Sequence, residues 1–219
     1  MIAQALKLEI EAYANRTLSS NRLFGMARAG SVSHKALLAY LFNVRYLIQH
    51  TPPCLERARA RSAARGWNAL AAYYAGKAED EYGHDRWADN DVASVRENLG
   101  LEPPTRPARA MVELVTFLGD LIDVHPQRYL AYILFAEYFT VLAGPAWLAA
   151  LERNCGIPSE WLTSISKHAE LDRLHVSEAG REIDVLLPDP LELPGLTETL
   201  RRSMDYFDRF CDELGRVEG

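Results

Sequence analysis

The chain has 219 residues, enough for one domain with a sizeable core. Hydrophobic residues at 48% and charged residues at 25% are ordinary for a folded globular domain, which excludes a disordered, collagen-like or disulfide-scaffold chain. The formal charge is -6 and only Arg57, Arg59, Arg61 and Arg65 cluster, so the composition carries no electrostatic footprint for nucleic acid and a small molecule is the expected partner.

The opening MIAQALKLEIEAYANRTL lacks a basic segment followed by an unbroken apolar run, so no signal peptide is expected. A first helix is expected over about residues 2–18 and a short one near Asn21 to Arg28, before the Gly30-Ser31 break. Ser33 is placed to cap a third helix, His34 to His50, whose apolar stripe is Leu37, Leu38, Leu41, Val44 and Ile48. Thr51-Pro52-Pro53 then starts a separate helix through Arg61. After Gly66 a long helix is predicted to run to about Asn98, stopped by Gly100 and Pro103-Pro104.

Residues 107–122 form the next helix, and His125-Pro126 opens a long one that ends near Asn154, before Cys155-Gly156-Ile157-Pro158. Its apolar run, Tyr129 to Leu151, contains Glu137 and Gly144-Pro145 and is read as a buried helix, with no membrane span. Ser159 caps a helix to about Leu187, Pro188, Pro190 and Pro194 make a stiff connector, and Leu196 to Leu214 closes the chain. Cys54, Cys155 and Cys211 are widely spaced and in no CxxC pair, as expected of reduced thiols in a cytoplasmic protein. The expected fold is all-α, a single bundle of seven or eight helices over residues 1–219, compatible with a homodimer.

His168, Asp172 and His175 stand at i, i+4 and i+7, which puts two imidazoles and a carboxylate on one helix face within roughly 60° of one another. Lys167, Glu170, Arg173 and Glu178 mark the solvated face of the same helix. Glu81 and His84 form an i, i+3 carboxylate and imidazole pair, the spacing with which di-iron bundles load one metal. Glu137 is a lone charge in an apolar run, costly to bury unless it is paired or bound to a metal. Together these are three imidazoles and three carboxylates, a donor set suited to two iron or manganese ions with a shared carboxylate and open positions for dioxygen.

The order Glu-x2-His, then a buried Glu, then His-x3-Asp-x2-His resembles the haem-oxygenase-like di-iron oxidases and oxygenases over about residues 20–185, and Asp91 with Leu99-Gly100 resembles that family's helix ending. The resemblance implies a haem-oxygenase-like bundle that binds no haem. It implies Glu81, His84, Glu137, His168, Asp172 and His175 as ligands of two Fe ions, with Mn as the other metal and O2 as co-substrate. The implied reaction is oxidation of a small amino acid, amine or carboxylic acid by N-oxygenation, oxidative cleavage or decarboxylation. One departure stands out: several members carry a Glu seven residues before the first His, where this chain has Lys77, which cannot ligate while charged. Glu81 is the better first carboxylate, with Asp80 and Glu79 as alternatives. The cysteine motif of the thiamine-degrading enzymes of the same broad fold is absent from this sequence.

A ferritin-like carboxylate site built with Glu56, or a non-catalytic helical adaptor, are the rival readings. Arg45, Tyr138 and Phe139 are candidate substrate contacts, His50 a capping or packing residue, and Trp67, Trp87, Trp147 and Trp161 core or interface residues.

Overall fold

The computed structural model describes residues 1–217, apart from the side chain of Leu174. Among the described residues there are nine α-helices and no strand: α1 (Ile2–Ser20), α2 (Arg22–Arg28), α3 (His34–Ala64), α4 (Asn68–Asp80), α5 (Asp85–Leu99), α6 (Arg109–Val124), α7 (Tyr129–Cys155), α8 (Thr163–Leu186) and α9 (Leu193–Leu214). The all-α class expected from the periodicity is what the chain adopts. Helix α7 is the central element, with α1, α2, α8 and α9 packed around it, while α3 gathers α4, α5 and α6 on the other side. By length and composition only Pro126–Cys155, among the described residues, would suffice to cross a membrane. Leu130, Ala131, Leu134, Phe135 and Leu151 of this segment are buried in the common core.

The last helix starts at Leu193 and takes Pro194 into its first turn, where a proline is tolerated, and three other boundaries differ from the sequence reading for physical reasons. Pro52 and Pro53 do not start a new helix; α3 runs through them as one piece. Leu37, Leu38 and Leu41 before the prolines and Leu55 and Ala58 after them are all buried in the same core, so packing holds the two halves in line despite the missing N–H donors. The predicted 67–98 helix is broken into α4 and α5 by a turn over residues 81–84, where Gly83 adopts φ +85, a conformation other residues rarely take.

Ser159 starts only a short 3-10 turn, and α8 begins at Thr163. Its first turn is capped from another helix. Asp91, 1% exposed and in the middle of α5 rather than at its end, accepts hydrogen bonds from the backbone N–H of Thr163 (3.0 Å) and Ser164 (2.8 Å) and from both hydroxyls (2.6 Å each). A carboxylate at a helix N-terminus satisfies orphan donors and complements the helix dipole. Asp91→Ala is expected to cost about 2–3 kcal/mol of unfolding free energy in denaturant titration, because four donors lose a charged acceptor.

Candidate metal centre

The candidate side chains come from the turn between α4 and α5, from the middle of α7 and from the first half of α8. Glu81 and His84 therefore flank Gly83 in a turn, not on one helical face as their spacing suggested. The six sequence-predicted residues fall into two groups. Glu81, His84 and His168 offer donor atoms that all lie within 4.8 Å of one another, and so do Glu137, Asp172 and His175. His84, Glu137 and Asp172 are buried, and the others are partly so. Asp80 and Glu79 are exposed, which leaves Glu81 as the carboxylate of the first group.

In the first group Glu81 Oε2 accepts from His84 Nδ1 at 3.1 Å and lies 3.9 Å from His168 Nε2. His168 Nδ1–H donates to the Ser164 carbonyl at 2.7 Å, which fixes the tautomer and turns Nε2 toward Glu81. Ser164 sits on the Asp91 cap, so a hydrogen-bonded chain from α5 sets the ring orientation. Trp87 stacks on His84 with ring centroids 4.2 Å apart and makes a T-shaped contact with His168. Burial works against the charge of Glu81, but its two imidazole partners outweigh it and hold the pKa down at about 2.

The second group is short of positive charge. Burial, with Lys77 opposing it and Glu81 and Asp80 adding to it, pushes Glu137 up to about 7. Burial and the Glu137 carboxylate push Asp172 up to about 8. Glu137 Oε1 accepts from the Lys77 ammonium at 2.5 Å, while Oε2 is buried with no hydrogen-bond partner. His175 Nδ1 lies 3.3 Å from Asp172 Oδ1. A buried carboxylate oxygen without a donor, beside a second carboxylate and an imidazole, calls for positive charge at this position, and the oxygen and imidazole donors of the two groups are of the kind that suit iron or manganese.

Both groups face one cavity of about 200 Å³ between α3, α7 and α8. Its walls are mostly apolar, with Val44, Leu47, Ile48, Leu55, Ile133 and Phe139 among them, and its polar end holds Lys77, Glu81, Glu137, His168 and Asp172. Of the substrate contacts expected from sequence, only Phe139 lines it. Arg45 is instead paired with Asp89, and the Tyr138 hydroxyl donates to Glu11 at 2.6 Å, so both point away because acidic partners hold them elsewhere. His50 hydrogen-bonds the Tyr46 carbonyl, a packing role. Glu56 is exposed and paired with Arg59 on the same helix, apart from both groups, which removes the carboxylate that a ferritin-like set requires.

Two residues carry more here than the sequence reading gave them. Trp87, expected as a core or interface residue, walls the first triad. Lys77 was noted only as a departure in spacing. The signal for its burial was its register: with Leu70 and Tyr74 it stands at i, i+4 and i+7 on the apolar stripe of α4, and it is 5% exposed.

No protein-family model matches the chain, and no curated protein matches it in sequence. Solved structures do match it in fold. A domain of unknown function with a haem oxygenase-like fold from Shewanella denitrificans has a TM-score of 0.82 at 16% identity, over 96% of this chain and 90% of that one. A CADD-like protein of unknown function from Nostoc punctiforme has a TM-score of 0.71 at 18% identity, over 96% and 97%. A TenA family transcription regulator from a Silicibacter species has a TM-score of 0.73 at 12% identity, over 99% and 97%. The fold of this chain is haem-oxygenase-like.

Proposed function

We propose that the protein is a non-haem metal-dependent oxidoreductase that uses O2 to oxidise a small amino acid, amine or carboxylic acid. The observation that carries this reading is the convergence of three imidazoles and three carboxylates from three regions of the chain at the end of one apolar cavity. Glu81, His84 and His168 would hold one ion, and Glu137, Asp172 and His175 form the neighbouring position. A bound iron or manganese ion would supply the electrons that dioxygen chemistry needs.

The chain supplies the rest. The Ser164 carbonyl keeps the His168 proton on Nδ1, so that Nε2 faces the centre. The apolar walls exclude water and accept the hydrocarbon part of a ligand, while the polar end, where the metal would sit beside Lys77, meets its polar head. A molecule with one charged head and a short apolar body suits a cavity of about 200 Å³.

The test is oxygen uptake by the ferrous-loaded protein against a panel of amino acids, amines and carboxylic acids. One class is expected to accelerate uptake. A protein that takes up no iron and consumes no oxygen with any of them is not an oxidoreductase of this kind.

A further inference from the structure

We infer that Lys77 stands in for the second metal ion: its ammonium already supplies a positive charge to the Glu137, Asp172 and His175 position, so the centre holds a single divalent ion tightly, on Glu81, His84 and His168. This deepens the oxidoreductase reading and rests on it. Lys77 leaves α4 one helical turn before Glu81 and lines the same cavity end as Glu81, Glu137 and Asp172. A lysine is almost never buried unless paired, and this one, 5% exposed, donates to Glu137 Oε1 at 2.5 Å. Glu137 thus meets any second ion with one oxygen already committed.

The charge count points the same way. With every carboxylate ionised and every imidazole neutral, the state in which all six could act as ligands, three carboxylates and one ammonium leave the buried cluster at minus two. One divalent ion brings the cluster to zero. A second would leave a charge of plus two within a site whose walls are apolar, and uncompensated buried charge is strongly disfavoured. Asp80 and Glu178, the acidic residues at the rim, are exposed and screened by solvent, so they compensate little. The two triads also differ as donors. Two imidazoles and one carboxylate form the set that holds a single ferrous ion with open positions, whereas Glu137, Asp172 and His175 have a cation already among them.

The experiment is anaerobic titration of the full chain with Mn(II) and with Fe(II), read by metal content after desalting and by the electron paramagnetic resonance spectrum of the Mn(II) form. The wild type is expected to retain one equivalent with the spectrum of an isolated ion. A second equivalent should bind more than about 100-fold more weakly, as repulsion by a nearby ammonium predicts. Lys77→Met removes the charge and Lys77→Glu also restores a carboxylate. Both are expected to tighten the second equivalent, and Lys77→Glu to give a spin-coupled pair.

Two tightly held, spin-coupled ions in the wild type would overturn the inference while leaving the oxidoreductase reading standing. So would a stoichiometry of one that neither Lys77 variant raises. No metal retained by the wild type would overturn both. Should the variants lose their helical circular dichroism, the isolated or coupled spectrum of the wild type decides by itself.

Discussion

His168→Ala is expected to lose the tightly bound metal and its oxygen uptake while keeping its helical content. The imidazole is held on one side by the Ser164 carbonyl and presents Nε2 to Glu81 and His84 on the other, so its removal leaves the first triad with two donors. Loss of a ligand should weaken binding by more than the roughly 10- to 100-fold that loss of a supporting outer-shell partner costs. The ring is partly exposed and belongs to no apolar layer, so the fold should survive. Glu56→Ala is the matched control. That carboxylate sits in an exposed pair with Arg59, and its loss should change neither metal content nor stability by more than about 0.5 kcal/mol. Metal analysis and thermal melts of both variants make the comparison; equal metal retention in His168→Ala and wild type would remove His168 from the centre.

The parts of this centre that local spacing encodes were legible in the sequence. A helix of 3.6 residues per turn makes His168, Asp172 and His175 a stripe whatever surrounds it, and a lone carboxylate in the Phe135–Phe139 run announces that something must meet it. What met Glu137 was not legible, because Lys77 is 60 residues away and only the packing of α4 against the core brings the two together. The same holds for Asp91, whose role as the cap of α8 depends on donors 72 and 73 residues further on. Helix ends failed where tertiary packing overruled a local rule. Pro52 and Pro53 argued for a break that the shared core of α3 overrides, and Gly83 permitted a turn where the surrounding pattern argued for continuity. Arg45 and Tyr138 were misassigned for a related reason: a long polar side chain goes where its partner is, and Asp89 and Glu11 lie away from the cavity.

The largest stability effect is expected at Glu137. Its side chain and that of Lys77 are 7% and 6% exposed, so neither can recover its hydration when the other is removed. Glu137→Ala in the metal-free protein takes from a buried ammonium the carboxylate it donates to, a change that costs about 3–5 kcal/mol when one partner of a buried pair is deleted. The pair as a whole contributes far less, because both ions were desolvated to make it. A Lys77→Met/Glu137→Leu double substitution of similar volume should therefore recover most of the loss, even though it removes every charge–charge contact at that position. Denaturant unfolding of the wild type, both single variants and the double variant, in chelator, measures the coupling. Additive losses would mean that the two charges are solvated independently and that the Lys77–Glu137 contact does not hold α4 against α7. Recovery in the double variant would identify the contact as an ion pair set into the core, retained for the chemistry of the centre rather than for the stability of the fold.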